Sequence, residues 1–317
     1  MHILITGGAG FIGSHLADRL ITRGWRVRIL DNLSSGSLAN LSGPARAAEF
    51  RHGDVRDAAE VRRAAMGVSA IVHLAAVASV ESSMQDPLGT HATNLGGTLH
   101  CLEAARVAQV RRFIYASSAA VYGDRALPPV DENTPPAPLS PYAIDKLAGE
   151  WYLDHYHRHY GLDTTAFRFF NIYGPRQDAG SPYSGVISRF LACAHAGIPC
   201  TMYGDGRQTR DFVYVQDLID VLAAGITRSD LGGCVLNVGT GIASDLLTVW
   251  AAVRTAIDAP AIPRFESARA GDIRHSCAAI SRLHQRMGFV PHTSLQDGLR
   301  AVAASGSSTP DRPAMAN

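Results

Sequence analysis

The chain carries a single lysine among its 28 arginines, and that residue, Lys146, stands four residues after Tyr142. Arginine is a planar fork that stays charged, whereas lysine is a compact ammonium suited to sitting beneath a ribose or beside a titrating phenol. Ser117 and Ser118 close the apolar run FIYASS, so Ser118, Tyr142 and Lys146 form a set that could take a proton from a carbinol. A free phenol is a poor base at neutral pH, and nearby positive charge favours the phenolate. Lowering its pKa by about 3 units asks for roughly 4 kcal/mol of differential stabilisation. The competing reading is an ordinary surface pair at i,i+4 on a helix.

A second constellation lies at the N-terminus. Gly7, Gly8, Gly10 and Gly13 in TGGAGFIGSH follow an apolar run and open a helical stretch, a pattern whose backbone can cradle a pyrophosphate on a helix N-terminus. Phe11 and Ile12 sit within it. Eighteen residues after Gly13, Asp31 ends the next apolar run, where a carboxylate accepts from an adenosine 2′-OH and repels a 2′-phosphate. NAD is therefore favoured over NADP. Asn32 follows Asp31. Asp54 and Val55 end a third run, with helix N-capping an equal alternative for Asp54. Leu74, Ala75 and Ala76 follow the fourth. Asn94, polar within an apolar helical stretch, is read evenly as a packing or a cofactor residue.

These residues need strands to place them. Runs at His2–Thr6, Arg26–Asp31, Glu49–Gly53, Ala70–Leu74 and Arg112–Ser117 alternate with helical segments. Such alternation predicts an α/β fold of Rossmann type, a doubly wound parallel sheet with a smaller interleaved α/β lobe. A helix is expected from Pro141 to about Tyr160 and a strand over Asp163–Phe170. We read residues 1–170 as the NAD-binding domain and 171–304 as the second lobe. Runs at Phe212–Asp217 and Val235–Gly239 read as short strands, with 211–240 returning to the first sheet. Residues 305–317, small, polar and proline-containing, are expected to be disordered.

Composition narrows the rest. At 317 residues and 46% apolar the chain can bury a large core, and a net charge of +1 without basic runs argues against nucleic acid or an anionic membrane as partner. No apolar stretch reaches the eighteen or so residues of a bilayer span, and MHILITGG starts directly as a strand without a leader pattern. Five cysteines without CxxC spacing, Cys101, Cys193, Cys200, Cys234 and Cys277, read as reduced core thiols in a cytoplasm rather than as metal ligands.

TGGAGFIGSH, SSAAVYG, SPYAIDK, RFFNIYGPRQ and GDGRQTRDFVYV, in order over residues 1 to about 300, resemble the extended short-chain dehydrogenase/reductase family. Within it the chain is similar to NAD-dependent nucleotide-sugar epimerases acting at C4 of UDP-glucose or UDP-N-acetylglucosamine. The resemblance implies bound NAD, a UDP-linked hexose as substrate and a homodimer. It implies Tyr142 as base, Lys146 as ribose-binding partner and Ser118 as the hydroxyl on the sugar O4. It further implies substrate contacts from Asn171, Gly185, Val186 and Tyr203, diphosphate contacts from Arg210 and Arg269, and a UMP-ribose contact from Asp272.

Local residues select among the family's reactions. Sugar 4,6-dehydratases carry Asp-Glu after the active-site hydroxyl, where this chain has Ala119-Ala120, which also counts against decarboxylation of a uronate. Ala-Ala is shared with heptose 6-epimerase-like sequences, which stay as an alternative beside uronate 4-epimerases and a net oxidoreductase. A non-catalytic NAD sensor would have no need of Ser118, Tyr142 and Lys146 together. Ser276 resembles the position facing the sugar's C2 substituent, where a small residue leaves room for an N-acetyl group, and Gly185 fits a similarly open wall. Ala78 stands where some relatives place a lysine on the cofactor phosphates, implying looser retention of NAD.

Overall fold

The computed structural model describes residues 1–124, 126–178, 185–257, 262–268 and 273–306. The first half runs β1 (His2–Thr6), α1 (Phe11–Thr22), β2 (Arg26–Asp31), β3 (Glu49–His52), α2 (Ala58–Ala65), β4 (Ala70–His73), α3 (Val80–Gln85), α4 (Pro87–His91), a π turn over Ala92–Gly96, α5 (Gly97–Val107) and β5 (Arg112–Ser118). Then come α6 (Pro141–Tyr160), β6 (Asp163–Phe169), β7 (Asn171–Tyr173), α7 (Val186–Ala196), β8 (Thr201–Tyr203), β9 (Thr209–Tyr214) and α8 (Val215–Thr227). The chain continues through β10 (Cys234–Val238), β11 (Ala243–Asp245), α9 (Leu246–Ile257), β12 (Arg264–Glu266), α10 (Ser281–Met287) and α11 (Leu295–Gly306).

Seven strands form one sheet in the order β10-β6-β5-β4-β1-β2-β3, and every neighbouring pair is parallel. Parallel strands covered on both faces are apolar throughout, which is why Ile3, Leu4 and Ile5 in β1 and Ile71 and Val72 in β4 are all fully buried. Strand order reverses between β1 and β4, where the carboxyl ends Thr6 and His73 lie in register. Ligands of such folds bind in the crevice at that point.

The remaining strands are short. β7, β9 and β11 make a three-stranded sheet, and β8 pairs with β12. Of the two late runs read as strands, Val235–Gly239 does rejoin the large sheet, as β10 beside β6. Phe212–Asp217 does not. Its first residues pair with β7 while β11 pairs with the preceding Thr209, Arg210 and Asp211, and from Val215 the chain is helical, because VQDLIDVLAAGIT has the 3.6-residue periodicity that buries Leu218, Ile219 and Leu222 against the sheet. The C-terminal helix extends to Gly306, taking in the first two residues of the expected tail, with Leu299 in the core of the smaller lobe.

The five cysteines are unpaired, with Cys101, Cys200 and Cys277 buried. Among the described residues no helix is long and apolar enough to cross a membrane, and no group of three His, Cys, Asp or Glu is placed to hold a metal.

Candidate active site

A cavity of about 1360 Å³ opens at the switch point. Gly7, Gly10, Phe11, Ile12, Gly13, Asp31 and Asn32 line one end, Val55, Leu74, Ala75 and Ala76 its side, and Ser118, Tyr142, Lys146, Asn171 and Gly185 the other end.

The glycine end is shaped by close approach. Gly7 has φ +69°, and a Cβ there would lie 2.8 Å from Ala75 N. At Gly13 a Cβ would meet Gly7 O at 2.3 Å and Gly8 Cα at 2.6 Å, so only glycine lets α1 start against the loop. The N-cap of α1, Gly10, offers no side-chain cap, and the first turn holds no acidic residue. The helix therefore presents orphan N–H donors and positive dipole to the cavity, as an anion requires. Asp31 is buried and ties the loop down, accepting from Ala9 N at 2.9 Å and Leu33 N at 2.8 Å. These residues fit a dinucleotide with its pyrophosphate over Gly10–Gly13 and its adenosine toward Asp31.

The other end is positioned by α6. Ser140 caps the helix by accepting from Ala143 N, Pro141 occupies the first turn, and Gly161 closes it in the left-handed conformation. Tyr142 and Lys146 thus lie one turn apart on one face. Strand β5 delivers Ser118, whose hydroxyl accepts from Ala120 N at 3.2 Å. Lys146, 3% exposed, donates from Nζ to the Ala116 carbonyl at 2.8 Å.

The electrostatics differ from those expected of the isolated set. Burial pushes the Tyr142 phenol above its ordinary value, and a hydrogen bond with Ser118 acts the other way. Burial lowers the Lys146 ammonium to about 8, against the pull of Asp145. Phenolate and ammonium thus do not coexist over a useful pH range without further positive charge beside Tyr142.

Several residues singled out in the sequence are placed elsewhere. Asp54 does not line the cavity. Its carboxylate accepts from Arg56 and from Asn32 Nδ2, the Arg56 hydrogen bond leading the effects that hold it at about 2, and it is Asp57 that caps α2. Asn94 is buried in the π turn with its amide occupied by the Val77 backbone, accepting from N at 2.8 Å and donating to O at 3.1 Å, so it shapes the cavity wall from behind. Val186, in the first turn of α7, packs into the smaller lobe's core. Tyr203, Arg210 and Ser276 are not among the residues that line the cavity, the last two gathered at the Thr209 carbonyl by Arg210 Nη1 at 2.9 Å and Ser276 N at 3.1 Å. Arg269 and Asp272 lie outside the described residues.

Other cavity residues escaped the sequence reading. Gln177 and Ser188, joined by a 2.7 Å hydrogen bond beside Gly185, face the cavity, as does Arg176, which pairs with Asp18 at 2.7 Å. Gln177 closes the motif RFFNIYGPRQ, which carries the resemblance without a role for that residue, and nothing in the spacing of Ser188 marks it.

A dinucleotide cradle at a sheet switch point, with a Ser, a Tyr and a Lys converging on its far end, is the arrangement of an NAD-dependent short-chain oxidoreductase fold. The profile of the NAD dependent epimerase/dehydratase family matches residues 3–239, and the chain belongs to that family. It is 40% identical over 305 residues to a UDP-glucose 4-epimerase of Mycolicibacterium smegmatis, covering 94% of this chain and 96% of that one. Among solved structures it is similar to the UDP-glucose 4-epimerase of Thermotoga maritima with UDP-glucose, with TM-score 0.94, 34% identity and coverage of 98% and 100%. It is also similar to a UDP-N-acetylglucosamine 4-epimerase from Methanobrevibacter ruminantium in complex with UDP-N-acetylmuramic acid, with TM-score 0.92, 35% identity and coverage of 97% and 98%.

Proposed function

We propose that the protein interconverts UDP-hexoses at C4, with UDP-GlcNAc and UDP-GalNAc as its pair and UDP-Glc and UDP-Gal as a second one. The observation that carries this is the convergence of Ser118, Tyr142 and Lys146 on a cavity that begins at the glycine cradle, with Ala119 and Ala120 following the hydroxyl. Neither alanine can serve as acid or base, so proton movement is left to one phenol. Relatives named for 4-epimerisation support the same reading.

When bound, NAD would supply the hydride acceptor and later donor, and its oxidised form would add positive charge to the site. Ser118 hydrogen-bonds the sugar O4 and orients it. Tyr142 takes the O4 proton as C4 becomes a ketone and returns it when the hydride is given back on the other face, so no net oxidation occurs. Lys146 holds the phenolate form through its charge. Asn171 and Gly185 face the sugar, and the diphosphate contact assigned to Arg210 rests on resemblance alone.

The N-acetyl preference rests on small side chains. Gly185 lines the cavity and leaves its part of the wall open, and Ser276, which does not line it, corresponds by resemblance to the position where a Tyr restricts the pocket to plain hexoses. Ser276→Tyr removes turnover of UDP-GlcNAc while sparing UDP-glucose; equal loss on both defeats the assignment. The protein is also proposed to be a homodimer through the face of α3, α4 and α6 that leaves Met84, Leu88, Ile144 and Trp151 exposed, Trp151 by 65%. Light scattering reads that directly.

The reaction itself is tested by proton NMR of the protein with NAD and each substrate in separate tubes. Galacto-configured anomeric signals growing to equilibrium without absorbance at 340 nm are expected. Stoichiometric NADH means a net oxidoreductase, and silence in both tubes removes these substrates.

A further inference from the structure

Lys146 is buried, so water cannot stabilise its charge, and a buried ammonium needs some other support. Four neighbouring elements contribute groups. On β5 the Ala116 carbonyl accepts one N–H, and the Tyr115 ring lies with its centroid 4.9 Å from Nζ. On α6 the Tyr142 ring is 5.8 Å away, and Asp145 adds a carboxylate whose Oδ1 bonds His91 Nδ1 of α4 at 2.8 Å. On β4 stands His73, which burial pushes down to about 3 and which therefore adds no competing charge. Its nitrogens pair with Thr6 Oγ1 at 2.7 Å and Thr98 Oγ1 at 3.0 Å.

Tyr115 is built into this arrangement and is not incidental core. The residue is fully buried and stacks on His73 with centroids 6.0 Å apart. Across from it α6 carries Gly149, where a Cβ would lie 2.5 Å from the Tyr115 hydroxyl. Glycine inside a helix costs about 1 kcal/mol relative to alanine. The catalytic helix thus gives up a side chain to seat this ring next to Lys146.

We propose that Tyr115 is a positioning residue whose ring face keeps the Lys146 ammonium charged and in place at the cavity. The face of an aromatic ring is electron-rich and attracts a cation without a hydrogen bond. The ammonium has three donors, and the ring consumes none of them, leaving two beyond the Ala116 bond for cofactor and phenol. A second carboxylate at that point would support the charge but also cancel its field on Tyr142. The inference rests on the reading of Lys146 as partner of Tyr142.

Because the chain holds one lysine, lysine labelled with carbon-13 at Cε yields one side-chain resonance, and its pH titration reports Lys146 without assignment. Tyr115→Phe keeps the ring and is expected to titrate within about 0.2 unit of the wild type. Tyr115→Leu removes it and is expected to lower the Lys146 pKa by about half a unit to one unit. Should that variant not fold, Tyr115→Phe with a progressively fluorinated ring keeps the volume while draining the face, and a graded fall is expected. A leucine variant titrating like wild type, or a flat fluorinated series, overturns the proposal. Failure of the parent reading is seen separately, as undiminished epimerisation by Lys146→Met.

Discussion

The two ends of the cavity are built in different ways. The cofactor end rests on long buried strands and two glycines whose neighbours leave no room for a Cβ, and Asp31 locks the loop through two backbone hydrogen bonds. The substrate end is assembled from two small sheets and their turns, gathered by buried carboxylates. Asp211, fully buried, accepts from Thr240 N at 2.8 Å, Thr240 Oγ1 at 2.6 Å, Gly241 N at 3.0 Å and Ala278 N at 3.1 Å. Asp217 likewise accepts from His292 N and from Thr293 N and Oγ1. One end is fixed by backbone shape, the other by side chains that fasten loops.

Four predictions press on that contrast. Tyr142→Phe, at the junction of the two ends, is expected to lower turnover by about 100-fold or more, with NAD affinity unchanged within twofold by calorimetry. Retained turnover removes Tyr142 from its role. Gly13→Ala drives a Cβ into the Gly7 carbonyl, so NAD affinity is expected to fall more than tenfold while UDP binding measured alone holds. Parallel loss of both shows that the ends are not independent.

Asp211→Asn turns one acceptor oxygen into a donor facing N–H groups. It is expected to cost about 1–3 kcal/mol in denaturant unfolding and to raise the KM for UDP-sugar several-fold, with little effect on NAD. The smallest effect is in pH. The Lys146 pKa is lowered to about 8, so the ammonium is present below that value and lost as pH rises through it. Turnover is expected to decline on the alkaline side. The phenol, raised by burial, is expected to titrate lower once NAD is added, read as phenolate absorbance.

The same contrast explains what was legible in the sequence. β1 and β2 were readable to the residue, and α6 from Pro141 to about Tyr160, because apolar runs and a proline at a helix start are local signals. The cradle was readable since glycine spacing is itself the geometry. Asp54 and Asn94 were harder, for a polar residue near a strand end looks alike whether it touches ligand or backbone. The substrate end was read through resemblance, and the neighbours that fasten it, such as the amides on Asp211, come from 29 to 67 residues away. Tyr115 was invisible for another reason. A buried tyrosine in an apolar strand is what core looks like, and only its distance to Lys146 and the missing side chain at Gly149 give it a role.

In the proposed reaction one hydride leaves C4 and returns to the same carbon within one site. UDP-GlcNAc carrying deuterium at C4, incubated with the protein and unlabelled NAD to equilibrium, tests it most directly. UDP-GalNAc with the deuterium still at C4, and no label in free NADH or solvent, is the expected result. Washout of the label, or its recovery in released NADH, contradicts it.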